Sequence, residues 1–168
     1  MALTSDGMTR AQFLHLWRDA MVIGDPAERA RLILELGRAS VREEGRASTL
    51  VVAISGDPTR DHPVVLMPLA EAPRRDDEAT RLALTARLVE LTATEAYVLM
   101  TTKSGETSGV ASYLLVSWGE TNDNDEVCVV MPYRFGPNGL EEAEPLVVPH
   151  PTTTVFSREL SGLLLARH

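Results

Sequence analysis

One cysteine, one lysine, eight aromatic side chains and no long apolar run are a short supply, and each scarcity excludes something. Cys128 cannot close an internal disulfide and offers no thiolate pair for a metal, so nothing points to an oxidising compartment. A membrane-crossing helix needs about 18 or more consecutive apolar residues, and none is present. Met1–Gly24 also lacks the charged-then-apolar layout of a secretory leader. A soluble, cytoplasmic chain is therefore expected, or a virion component if the source is a phage. Lys103 is the single lysine among 16 basic residues. Such arginine skew accompanies GC-rich coding and fits a bacterium or one of its phages.

Positive charge is also in deficit. Against 24 acidic residues the 16 basic ones leave a net charge of −8. That balance opposes binding to phosphate backbones and favours either solubility or a basic partner. No nucleic-acid or membrane partner is expected.

A length of 168 residues with 44% hydrophobic content fits one domain. A chain of this size buries roughly 70% of its unfolded surface and needs no staple to fold. Two helices are predicted first. Thr9 followed by Gln12 makes a capping box, and Phe13, Leu14, Trp17 and Met21 then recur at helical spacing. The next helix opens on Asp25 as cap, Pro26 at the first position and Glu28 at the third, and Gly45 can end it.

Beyond Gly45 the pattern turns to strand. "STLVVAIS" and "PVVLMPLA" are short β-branched runs bounded by Gly and Pro. "RRDDEATRLALTARLVELTA" restores a helix, with Asp76 and Asp77 at its start and Leu84, Leu88 and Leu91 along one stripe. A meander follows in "EAYVLMTT", "VASYLLVSW" and "EVCVVMPYRF", and "EPLVVPH" adds a strand. The meander alternates unusually. Leu114, Val116 and Trp118 stand on one side and Tyr113 and Leu115 on the other, and Cys128 and Val130 oppose Val127, Val129 and Met131. A sheet with one wet face alternates apolar with polar residues, so this sheet is expected to be covered on both faces. Three helices are a thin supply for that, which points to a further protein contact.

The expected fold is α+β: one domain over 1–168, with a helical pair in 1–46, a mainly antiparallel sheet of about five or six strands with a connecting helix in 47–150, and a C-terminal arm in 151–168.

Candidate chemistry gathers in "SGDPTRDHP", Ser55–Pro63. Asp57 or Asp61 could orient His62, with Ser55 as nucleophile and Arg60 for an anion. The same residues suit a strand-to-strand turn, in which Asp bonds nearby amides and Pro63 starts the next strand. "GETNDNDE" fails as a calcium loop, because the sixth and twelfth positions counted from Asp123 are Cys128 and Arg134. No two of His15, His62, His150 and His168 have metal-ligand spacing, and His15 reads as a partly buried histidine. Cys128 reads as a small hydrophobe in a strand. No phosphate-binding glycine loop is present. No cofactor and no metal are expected.

Arg38, Arg42 and Arg46 share a helical face, which reads as solvated or as facing a protein. The arm is the clearest interaction candidate. "PTTTVF", with Thr153, Val155 and Phe156, is β-prone, and Leu160, Leu163 and Leu164 share one helical side. It can pack on its own domain or on a neighbour.

The expected function is that of a non-enzymatic assembly protein, a subunit of a larger bacterial or phage complex or a homo-oligomer. An acidic inhibitory protein acting on a basic partner is one alternative. A small hydrolase using Asp57, Asp61 or His62 is the other.

Overall fold

The computed structural model describes residues 2–69, 78–102, 112–120 and 123–149. Helix α1 (Arg10–Ile23) starts at the capping box: the Thr9 hydroxyl accepts from the Gln12 amide at 3.2 Å, and the Gln12 side chain accepts from the Thr9 amide at 3.0 Å. Helix α2 (Pro26–Glu44) starts at Asp25, whose carboxylate accepts from the Glu28 amide at 2.8 Å. It stops at Gly45, which adopts φ 76°, the left-handed geometry that a Cβ disfavours.

Strand β1 (Leu50–Ser55), strand β2 (Val64–Pro68), helix α3 (Glu78–Glu90), strand β3 (Ala93–Thr102), strand β4 (Ser112–Glu120) and strand β5 (Asp123–Gly136) follow. Strands β6 (Gly139–Glu142) and β7 (Leu146–Pro149) complete the described chain. Every pairing is antiparallel, in the order β2-β1-β3-β4-β5-β6, and β7 also pairs with β5. Among the described residues the class is α+β with three helices and antiparallel pairing.

The strand count departs from the expected five or six: seven strands occur among the described residues. The cause is a bulge. Tyr133 pairs with Glu142 and Val130 with Leu146, so three steps along β5 meet four along its partner. One surplus residue in Ala143–Pro145 splits a single edge into β6 and β7. The polar loop expected at Gly119–Glu126 also contracts. Glu120 pairs with Asp123, so the strands themselves take up most of the acidic stretch.

Both faces of the central strands are buried. On one face Val52, Tyr97, Leu99, Leu114, Val116, Val129 and Met131 join Phe13, Trp17, Met21 and the apolar residues of α2. On the other, Val51, Ala53, Ala96, Val98 and Met100 meet Leu84, Leu88 and Leu91 of α3. The expected alternation at Tyr113, Leu115, Trp118, Val127 and Cys128 lies outside the described side chains.

α2 is the inner element. It rests on β3, β4 and β5 while α1 packs beside it and reaches β2, and it is buried almost all round from Ala30 to Val41. Gly37 lets it sit this low, since a Cβ there would come within 2.9 Å of a Leu99 methyl and 3.3 Å of a Leu114 methyl. Trp17 Nε1 donates to the Leu32 carbonyl at 2.8 Å, so the largest core side chain also satisfies its polar atom.

Two charge networks lock this layer. Ser5 donates from its amide and its hydroxyl to buried Glu35 at 2.9 Å each, and Arg38 holds Glu35 and Glu142 at 2.5 Å each. Arg42 reaches Asp6 at 2.9 Å. Arg38 is thus half-buried, because carboxylates distant in sequence fold onto it; Arg42 is paired with Asp6 and Glu142 but stays exposed, as does Arg46. His15 is exposed as well, because the burial of Phe13 and Trp17 turns position 15 outward.

In the second network Arg29 grips Glu95 at 2.6 and 2.7 Å, and the Tyr97 hydroxyl donates to the same carboxylate at 2.5 Å. Arg29 also donates to the Gly24 carbonyl, which fixes the turn between α1 and α2. Burial, and then the Glu95 carboxylate, push the Tyr97 hydroxyl above its ordinary value near 10. The sign follows from linkage: below pH 10 both states keep the proton, and above it the unfolded chain ionises while the folded one resists. Stability from Tyr97 is therefore intact below pH 10 and falls as pH rises beyond it. Tyr97→Phe is expected to cost about 1 kcal/mol at pH 7. Its deficit should shrink between pH 10 and 11 in urea titrations, and a constant deficit would contradict the assignment.

Candidate functional site

The loop between β1 and β2 holds the residues that the sequence marks for chemistry, and its first half is bound into the scaffold. Ser55 is 7% exposed; its hydroxyl donates to the Leu91 carbonyl at 2.7 Å and accepts from the Asp57 amide at 3.2 Å. The Gly56 amide donates to the Thr92 carbonyl at 2.9 Å. Asp57 accepts from the Thr59 amide and hydroxyl at 2.9 and 2.7 Å, a side-chain-closed turn, and these two bonds hold its carboxyl below the usual range. The Ser55 amide then donates to the Pro63 carbonyl at 2.8 Å and closes the loop. Ser55 and Asp57 are thus committed to holding a turn.

Asp61 and His62 point elsewhere. With Pro63 and Val64 they form one wall of a cleft of about 250 Å³, and Arg18, Asp19 and Val22 of α1 form the other. Among the described residues, Arg18, Asp19, Asp61 and His62 make no side-chain hydrogen bond or ion pair. Arg10, Arg29, Arg31, Arg38, Arg42, Arg87 and Arg134, by contrast, are all paired. Arg46 and Arg60, like the cleft residues, have no described side-chain partner.

The apolar surroundings extend along α1. Leu16, Val22 and Ile23 are 47%, 53% and 87% exposed, although Phe13, Trp17 and Met21 of the same helix are fully buried. Beside them lies the end of the sheet. Pro63 and Leu69 exchange their backbone bonds with β1, so the alternate residues Val64 and Leu66 turn their amides outward. No described strand pairs with that edge.

Of the candidates drawn from the sequence, Asp61 and His62 reach the cleft together, and Asp57 is held apart by its turn. His150 and the arm residues Thr153, Val155, Phe156, Leu160, Leu163 and Leu164 lie outside the described residues. Sequence reasoning missed Arg18, Asp19 and Val22. The signal was there: once Phe13, Trp17 and Met21 define the inner stripe, Leu16, Val22 and Ile23 are apolar residues on the wrong side. No group of three or more His, Cys, Asp or Glu among the described residues is arranged to hold a metal.

As to chemistry, the cleft offers an imidazole, two carboxylates and a guanidinium, with no serine, threonine, cysteine or lysine among the described residues of its walls. It can bind groups of either charge and exchange protons. It carries no side chain that would form an acyl intermediate in the usual way. Comparisons with protein-family models, with curated proteins and with solved structures give no match to this chain.

If Ser55 is a structural tie, Ser55→Ala strands the Leu91 carbonyl. It should cost about 1–3 kcal/mol, read as a lower urea midpoint with an unchanged slope. A midpoint equal to wild type would mean that the hydroxyl is free for another role.

Proposed function

We propose that this protein is a non-enzymatic interaction subunit that docks another polypeptide on the outer side of α1 and the adjoining cleft. The observation that carries the proposal is the pairing of exposed Leu16, Val22 and Ile23 with four charged or titratable side chains that have no described partner. A small cluster of apolar side chains ringed by polar groups is the usual make-up of a protein-binding patch. The free edge of β2 beside it supplies backbone donors and acceptors as well. Membership of a larger bacterial or phage assembly, or self-association, belongs to the same proposal, and so does a cytoplasmic or virion location. Among the described residues no helix is long and apolar enough to cross a membrane.

A second reading has one observation in its favour: His62, Asp61 and Asp19 converge on a concave site. It would be a proton-transfer enzyme acting on a small polar substrate. Without a nucleophile among the described residues of the walls it is the weaker reading, and turnover of any small ester, amide or phosphate that disappears in His62→Ala would promote it. The acidic-inhibitor reading has only the net charge of −8 behind it.

A photo-crosslinking residue placed at position 16 of the full chain, expressed in its source cell, tests the docking proposal. A discrete adduct with a polypeptide is expected, lost when Val22 and Ile23 are both changed to Asp. No adduct beyond that of a crosslinker at Leu82 on α3 would contradict it.

A further inference from the structure

We propose that the partner binds as an added β-strand, antiparallel to β2, and that its docking segment carries an apolar side chain followed two residues later by an arginine or lysine. This rests on the reading that the face docks a polypeptide, and adds the form and chemistry of the segment that docks.

The backbone sets the form. The Ser55 amide donates to the Pro63 carbonyl and the Leu69 amide to the Thr49 carbonyl, so the odd-numbered residues of β2 carry the bonds to β1. Val64 and Leu66 therefore turn an N–H and a C=O each away from β1, and Pro68 turns away a C=O alone. No hydrogen bond beyond the β1 ladder is described for Val64 or Leu66. A segment laid antiparallel along this edge continues the pattern of the sheet, whose described pairings are all antiparallel, and it makes the stronger kind of ladder. Pro68 withholds a donor and so limits the template to its Val64–Leu66 centre.

Side chains set the chemistry. Val64 and Leu66 are half-buried and pack into the core on the α1 side of the sheet, whereas Val65 and Met67 pack on the α3 side. Residues directly opposite in an antiparallel pair share a face, with Cβ atoms about 5 Å apart. A partner residue facing Leu66 thus meets an apolar neighbour. One facing Val64 points to the α1 side, where Val64 itself lines the cleft with Arg18, Asp19, Val22, Asp61 and His62. The cleft of about 250 Å³ has room for about eight waters at ~30 Å³ each, enough for one long side chain.

With histidine counted as neutral, one arginine against two aspartates gives the cleft a formal charge of −1, on a chain of −8. Neither Asp19 nor Asp61 has a described partner. A cation complements that end of the edge and an apolar group complements the other. A strand antiparallel to β2 passes Leu66 before Val64, so its apolar residue comes first and its basic residue two later. A second copy of the chain does not meet this requirement. Its own edge, "VVLMP", holds no cation and would leave Asp19 and Asp61 unmatched.

Random heptapeptides displayed on phage are selected against the immobilised full-length protein, and the enriched sequences are remade as synthetic peptides for fluorescence polarisation. Enrichment of apolar-x-Arg or apolar-x-Lys is expected. Leu66→Pro removes the outward N–H while sparing the bonds to β1, and should weaken binding about fivefold; Leu66→Val, which keeps the amide, should stay within about twofold. Asp19→Asn with Asp61→Asn should weaken binding about fivefold at low salt. In a fresh selection, Asp19→Lys with Asp61→Lys should exchange the basic residue for Asp or Glu at the same spacing. Circular dichroism checks each fold, and the exposed aspartate positions carry the test if Leu66→Pro does not fold. No enrichment, enriched peptides without that spacing, or binding indifferent to the aspartate changes would overturn the proposal. Binding to a folded Leu66→Pro at wild-type strength would do the same. So would a dimer of the protein alone that Leu66→Pro abolishes, since a second copy would then hold the edge.

The two proposals fail separately. If the crosslinker at position 16 captures a polypeptide but the peptides fail these tests, strand addition falls and docking stands. If the peptides pass and position 16 yields no adduct, docking on the outer side of α1 falls and the β2 edge with its cleft stands.

Discussion

Everything in this structure hangs on how closely α2 lies against β3 and β4. Where a helix packs on a sheet, close-packed side chains normally fill the gap between them. At Gly37 there is no side chain to fill it, and the Leu99 and Leu114 methyls come up to the helix backbone instead. That seating buries α2 on its sheet side, and Phe13, Trp17 and Met21 of α1 join the same core from beside it. It also sets the heights of the two charge networks. Glu35 and Arg38 meet Ser5 and Glu142, and Arg29 meets Glu95, because α2 is low enough for its flanks to touch β6 and β3.

From the same constraint comes the division between paired and unpaired groups. Buried or half-buried charges must be paired, since the desolvation cost of an isolated ion is several kcal/mol. Arg29, Arg38 and Glu35 obey that rule inside the layer. Arg18, Asp19, Asp61 and His62 escape it because they stay exposed around the cleft between α1 and the β1–β2 loop. The first half of that loop is tied to the α3–β3 junction through Ser55 and Gly56, so Asp61 and His62 are presented from a fixed base. A fixed polar display beside exposed leucine, valine and isoleucine is what the proposed docking of a polypeptide rests on.

The helices were legible because their ends carry local chemistry. Thr9 with Gln12, Asp25 with Pro26 and Glu28, and Gly45 each act within a few residues, so spacing alone identifies them. The double burial of the sheet was legible for a related reason, since Val51 and Val52, or Val98 and Leu99, put apolar groups on both sides of one strand. What could not be read depends on partners far away in the chain. Arg38 and Arg42 looked free because Glu142 is about a hundred residues distant. The bulge that separates β6 from β7 follows from the register against β5 and not from any local motif. The cleft is of the same kind: Asp61 and His62 were picked out, but the other wall comes from α1, and adjacency in sequence suggested a triad that Ser55 and Asp57 do not join.

Urea unfolding of Gly37→Val tests the seating of α2 most directly. Helix propensity alone would make valine better than glycine by a few tenths of a kcal/mol. Close contact with Leu99 and Leu114 should outweigh that and lower stability by about 1–3 kcal/mol. A variant as stable as wild type, or more stable, would mean that α2 does not rest on the sheet at this height, and the account built on it would fail.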